Sequence, residues 1–127
     1  MRIRVPLGLL LVALVGCGGA DPGPRGEGDL LVAYSPGNPD AGAMILVING
    51  GPVLNVAAVG GQQVSFTGSQ STARVIVVGT LVSGDLLRIR VPDVSLQKTY
   101  SVRAEQVADR NTFALIDPSR HTFTIHR

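Results

Sequence analysis

From residue 30 onward the chain is cut by turn-forming residues into short apolar runs, and none of these runs carries the three-to-four-residue periodicity of a helix. Segments 30–35, 43–49, 53–59, 62–66, 73–78, 86–91, 99–106, 112–116 and 122–126 are rich in Val, Ile, Leu, Thr and aromatic residues, which suit a pleated, half-buried surface. Between them lie Pro36-Gly37-Asn38-Pro39-Asp40, Asn49-Gly50-Gly51-Pro52, Gly60-Gly61, Thr67-Gly68-Ser69, Ser83-Gly84-Asp85, Asp109-Arg110-Asn111 and Asp117-Pro118-Ser119. These residues supply positive φ or preset a turn. Eight or nine short strands in about a hundred residues predict an all-β fold, a single antiparallel β-sandwich of immunoglobulin-like or jelly-roll-like form.

Several strands declare their faces by alternation. Leu87, Ile89 and Val91 are expected inward with Arg88 and Arg90 outward; Tyr100, Val102 and Ala104 inward with Ser101, Arg103 and Glu105 outward; Phe123 and Ile125 inward with Thr122, Thr124 and His126 outward. Two strands behave differently: Met44-Ile45-Leu46-Val47-Ile48 and Val75-Ile76-Val77-Val78 are apolar at both parities. Such a strand suits cover on both sides, which a two-layer sandwich does not supply. A loop or neighbouring strand covers the second face, or the two second faces adjoin in an apolar docking patch, with Met44, Leu46, Ile48, Ile76 and Val78, or their alternates, as the candidate interaction residues.

The chain's one cysteine, Cys17, follows a different kind of segment. Residues 1–4 carry Arg2 and Arg4, residues 5–15 are an apolar run too short for the 20 or so residues that span a bilayer, and Gly16 is the small residue a signal peptidase requires. Leu14-Val15-Gly16-Cys17 resembles the lipobox of bacterial lipoproteins. The resemblance implies cleavage before Cys17 and a thioether-linked diacylglycerol on its sulfur, in a cell envelope; Gly18 in place of an acidic residue implies the outer membrane where the envelope has one. Conventional cleavage after Gly18-Gly19-Ala20 is the competing reading and would discard the cysteine. The expected organisation is a signal peptide at 1–16, the lipidated Cys17 with a Gly/Pro-rich tether at 17–28, and the sandwich at 29–127. A flexible tether of this length has a root-mean-square span of roughly 18 Å.

Loss of Arg2 and Arg4 leaves nine Arg and Lys against nine Asp and Glu, a neutral chain, although the full sequence has a formal charge of +2. A nucleic-acid partner is excluded by that balance, because phosphate binding needs a cationic surplus. One cysteine also excludes an intrachain disulfide.

Catalytic patterns find little support. No Gly-x-Ser-x-Gly elbow occurs. His121 and His126 are expected as solvated side chains without a third ligand for zinc, and Asp109, Asn111 and Asp117 read as turn residues rather than a calcium loop. Glu27 falls in the tether and Glu105 on an outward strand position, so paired glutamates for glycoside hydrolysis are lacking. With no Trp, the rings of Tyr34, Phe66, Tyr100, Phe113 and Phe123 are few enough to be taken up by the core, a surface position being the alternative for Tyr34 alone, beside the first long loop.

The strand succession 43–48, 53–56, 64–66, 74–78 and Ser83-Gly84-Asp85 followed by 86–91 resembles that of cohesin-type and related carbohydrate-binding-type sandwiches. The resemblance spans residues 28–106 and implies a jelly-roll-like topology and a docking role. The expected function is that of a lipid-anchored, non-enzymatic interaction module. It needs no cofactor beyond the lipid on Cys17, and its partners are the membrane and another envelope protein. The alternative is a carbohydrate-binding or accessory domain of a surface glycan-processing system.

Overall fold

A computed structural model describes residues 26–37 and 41–127; Cys17 and the signal segment lie outside the described residues. Nine strands form: β1 (Gly28–Ser35), β2 (Ala41–Asn49), β3 (Asn55–Ala58), β4 (Gln63–Gly68), β5 (Thr72–Val78), β6 (Gly84–Val91), β7 (Ser101–Asp109), β8 (Leu115–Ile116) and β9 (Thr122–His126). They pair into a four-stranded sheet, β3-β6-β1-β9, and a five-stranded sheet, β4-β5-β2-β7-β8, and every pairing is antiparallel. The two sheets pack face to face as the expected sandwich.

The core is the set of inward positions. Leu30, Val32 and Tyr34 of β1 and Leu87, Ile89 and Val91 of β6 face Met44, Leu46 and Ile48 of β2 and Val75 and Val77 of β5, and all are buried. Burying a side chain of this size stabilises the fold by about 1.5–3 kcal/mol before entropy is counted. Val64 and Phe66 of β4 and Phe123 and Ile125 of β9 close its margins.

The folded region begins before residue 29. The amide of Gly26 donates to Asp93 Oδ1 (3.2 Å), the amide of Val94 donates to the Gly26 carbonyl (2.9 Å), and Gly28 already pairs with Val91. Gly26 to Gly28 therefore belong to the folded domain, ahead of the expected boundary at residue 29.

Two expected strands are shortened by side chains that close turns. Within 112–116 only Leu115 and Ile116 pair, because Asp109 Oδ1 accepts from the amides of Asn111 (2.7 Å) and Thr112 (3.0 Å) and folds the chain back first. Within 99–106 the ladder starts at Ser101, after a 3₁₀ segment, Val94–Thr99, capped by Asp93 Oδ1 on the amide of Ser95 (3.0 Å). Where that segment meets the β2–β3 turn, Gly50 sits at φ +115° against the carbonyl of Thr99; a Cβ there would lie 1.8 Å from the oxygen, so only glycine fits.

β7 carries one irregularity that matters for the surface. Ile45 pairs with Gln106 and Leu46 with Ala104, which leaves Glu105 as the extra residue of a β-bulge. Both Glu105 and Gln106 then face outward, and Val107 returns to the core.

Candidate functional site: the outer face of the five-stranded sheet

Register sorts the outward side chains into rows across β4, β5, β2, β7 and β8. Residues directly opposite one another share a face, so one row runs Gln63, Val78, Ala43, Ala108, Leu115, and the next runs Ser65, Ile76, Ile45, Gln106. A third runs Thr67, Arg74, Val47, Arg103. The face is thus apolar at one end and charged at the other.

At the apolar end Ile76 is 48% exposed, Val78 44% and Leu115 68%. Ala43, Ile45 and Ala108 fill the space between them, and shallow hollows open beside Ile45 and beside Phe113. Phe113 extends the strip at the tip of the β7–β8 turn, 81% exposed and held at φ +62°. A β-unbranched aromatic in the left-handed region is uncommon; here the amide of Phe113 donates to the Asp109 carbonyl (3.0 Å) and the Asp109 amide to the Ala114 carbonyl (2.8 Å), which fix the turn around it. Hydrogen bonds from the amides of Thr112 and Asn111 also hold the Asp109 carboxyl below its ordinary pKa.

The five candidate interaction residues do not form one surface. Met44, Leu46 and Ile48 point into the inter-sheet core and are 1% exposed or less, while Ile76 and Val78 are on the outer face. The residues that adjoin Ile76 and Val78 on β2 are the alternates, Ile45 and Ala43. Parity alone could not choose between the two sets, since both are apolar.

At the charged end, Val47 lies under flanking side chains and is buried although it faces outward. Arg74 forms an ion pair with Glu105. A hollow of about 500 Å³ opens over this end, walled by Asn49, Thr67, Ser69, Thr72, Arg74, Arg103 and Glu105. The hydroxyl of Thr72 donates to Asn49 Oδ1 (3.1 Å), and that of Ser69 to the Thr72 carbonyl (3.2 Å).

The opposite, four-stranded sheet has a polar outer face. Arg90 reaches Glu27 (2.9 Å) and Asp29 (3.3 Å), and the hydrogen bond to Glu27 chiefly raises its pKa. His126 Nε2 lies 2.7 Å from Asp85 Oδ1, a contact that pushes the imidazole pKa above its usual value.

His121 departs from the expected solvated histidine. It is 4% exposed, stacked on Tyr34 with ring centroids 5.9 Å apart and an interplanar angle of 9°, and its Nδ1 is 2.7 Å from the Tyr34 hydroxyl. Burial holds its pKa below the ordinary imidazole value, and burial pushes the Tyr34 phenol up to about 12. Tyr34, with a surface position as its alternative, is a core residue as expected of the rings, and Phe113, expected in the core, is the exposed one. Asp117 does act as a turn residue, its Oδ1 accepting from the Ser119 amide (3.0 Å) at a 3₁₀ turn, Pro118–Arg120.

Comparisons with protein families, with curated proteins and with solved structures find no match for this chain. The chemistry of the face must therefore be read from its own residues. Among the described residues no three His, Cys, Asp or Glu side chains converge as metal ligands. The strip offers apolar contact and the hollow offers hydrogen bonds and guanidinium charge.

Proposed function

We propose that this chain is a lipid-anchored envelope protein whose sandwich is a non-enzymatic docking module, tethered through Cys17 and engaging a second envelope protein through the apolar end of the five-stranded sheet. The observation that carries the reading is the continuity of the strip from Ile76 and Val78 through Ala43 and Ala108 to Leu115 and Phe113. Exposed apolar side chains are ordinary when scattered, whereas a contiguous group rimmed by polar residues marks an interaction site. The rim here is Gln63, Ser65 and Gln106. A rigid phenyl at the edge of such a strip fits the anchor role that aromatic side chains play in interfaces. The partner surface is accordingly apolar and poor in charge.

Two measurements test the two halves of the proposal. Replacing Cys17 with Ser is expected to move the protein from the membrane to the soluble envelope fraction, and unchanged membrane retention refutes the anchor. A photo-crosslinker at Ile76 is expected to capture one discrete partner in intact envelopes, the product disappearing when Leu115→Glu is added; a crosslinker at Arg88, on the other sheet, serves as the reference. Equal yields from Ile76 and Arg88 refute the docking face.

A glycan-binding accessory domain is the second reading, favoured by one observation: the hydroxyl- and amide-walled hollow at the charged end of the same face.

A further inference from the structure

The charged end carries a cation that the docking strip does not use. Arg74 on β5 and Arg103 on β7 both pair in register with Val47, so they flank it on either side with Cα atoms about 10 Å apart, two strand spacings. Val47 forms an apolar floor between them. The bulge turns Glu105 to this face as well, and Arg74 engages its carboxylate. Among the described residues Arg103 makes no ion pair and no side-chain hydrogen bond, and it is exposed. Two guanidinium groups and one carboxylate leave the hollow with a surplus positive charge, centred on Arg103.

The wall opposite is uncharged and polar. Because Asn49 Oδ1 accepts from the Thr72 hydroxyl, its amide nitrogen keeps both hydrogens for a ligand. Thr67 adds a hydroxyl that both donates and accepts, and the Ser69 hydroxyl, which gives its hydrogen to the Thr72 carbonyl, remains an acceptor.

We propose that this hollow binds an anionic saccharide, a uronic-acid-bearing glycan whose carboxylate sits on Arg103 and whose ring hydroxyls meet Asn49, Thr67 and Ser69. The planar guanidinium matches a carboxylate with two parallel hydrogen bonds. A neutral sugar leaves that fork unused, and a free oxyanion or an acidic peptide leaves the hydroxyl wall unused. The proposal rests on the glycan-binding reading and names the ligand class for it; it is independent of the apolar strip. An open hollow without a stacking ring supports weak binding, with a Kd of about 1 mM for a single contact site.

The test uses the full chain, ¹⁵N-labelled in detergent micelles, titrated with trigalacturonate, maltotriose, inorganic phosphate and triglutamate. Trigalacturonate is expected to shift the amides of Thr72, Arg74 and Arg103 saturably. Arg103→Gln is expected to weaken that binding at least fivefold with an unchanged thermal midpoint. Glu105→Gln is expected to tighten it severalfold by removing a like charge from the ligand's surroundings, a gain that damage to the fold cannot produce. Equal binding of maltotriose overturns the anionic assignment and leaves the glycan reading standing. Saturation of the same amides by phosphate or triglutamate at equal affinity overturns the saccharide assignment. Absence of any saturable shift overturns both, as wild-type affinity in Arg103→Gln overturns the role of Arg103.

Discussion

Tyr34→Phe isolates a single buried hydrogen bond. The substitution keeps the ring that stacks on His121 and on Phe123, whose centroid is 5.4 Å away, and removes only the hydroxyl that meets His121 Nδ1 at 2.7 Å. Apolar burial is unchanged, so the cost is that of an unpaired imidazole nitrogen in a site 4% exposed, about 1–3 kcal/mol. For a domain of about a hundred residues each kcal/mol lowers the thermal midpoint by roughly 4–8 °C. Replacing both partners, as Tyr34→Phe with His121→Leu, is expected to recover much of the loss, because two apolar neighbours leave nothing unsatisfied. The pair also sets a pH dependence. The folded state holds the His121 pKa below 6.5, so an unfolded chain takes up the proton first as pH falls. Stability from this group is complete above pH 6.5 and declines as pH drops through the lowered value, with a limiting slope of about 1.4 kcal/mol per pH unit. Tyr34 acts on the alkaline side: its contribution is complete below pH 10 and is lost as pH rises towards about 12. Urea melts at pH 7.5 and 5.5 measure the His121 contribution, and melts at pH 9 and 11 measure that of Tyr34. A Tyr34→Phe effect below about 0.3 kcal/mol, or an acid-induced loss in His121→Leu equal to that of the unaltered protein, refutes the account.

Gly50→Ala is expected to cost more than about 3 kcal/mol, since it combines strain at φ +115° with a Cβ that meets the Thr99 carbonyl; a melt within 1 kcal/mol or so of the parent contradicts that packing. Phe113→Gly relieves a left-handed residue whose ring buries little, and a gain of about 0.5–1 kcal/mol in stability should accompany loss of crosslinking at Ile76. Asp85→Asn should return the His126 titration, followed by NMR, towards the free imidazole value; because the folded pKa is raised, the small stabilising effect of the pair is present below pH 6.5 and fades as pH rises through the raised value.

Where polar and apolar residues alternated, the sequence already contained the face assignments. Arg88 and Arg90 between Leu87, Ile89 and Val91 admit one orientation, and Thr122, Thr124 and His126 around Phe123 and Ile125 admit one, and both orientations are observed. β2 was illegible for the opposite reason. Every residue from Met44 to Ile48 is apolar, so its inner face is decided by partners elsewhere: Arg74 cannot enter the core, which turns Ile76 and Val78 outward and, through the ladder, Ile45 with them. That chain of reasoning needs the β2–β5 pairing, and periodicity does not supply pairings. The Glu105 bulge has no local signature either, since Arg103-Ala104-Glu105-Gln106-Val107 reads as ordinary alternation until the parity slips. His121 was misread because its burial depends on Tyr34, a residue far away in the chain. Phe113 was misread because strand propensity was weighed without the Asp109 carboxylate, whose two amide hydrogen bonds close the turn before the strand begins. Of the charged hollow, Arg103 was legible as an outward cation, but its company was not.

The placement of β1 sets the order of events in folding. β1 lies in the middle of its sheet, between β6 and β9, and β2 lies in the middle of the other, between β5 and β7. The first two strands to be synthesised are thus the two that every later strand must close around, and Leu31 meets its neighbours Arg88 and His126 only when the second half of the chain has arrived. Local pairs form only at the edges of the five-stranded sheet, β4 with β5 and β7 with β8, and β1 and β2 lie in different sheets with no hairpin between them. Contacts so distant in sequence demand loop closure before they are rewarded, which makes this a slow folder. Until β6 and β7 are in place, β1 and β2, which carry Leu30, Val32, Leu46 and Ile48, lack strands that flank them in the finished sheets, and the early part of the chain is where a holding chaperone has the most to protect.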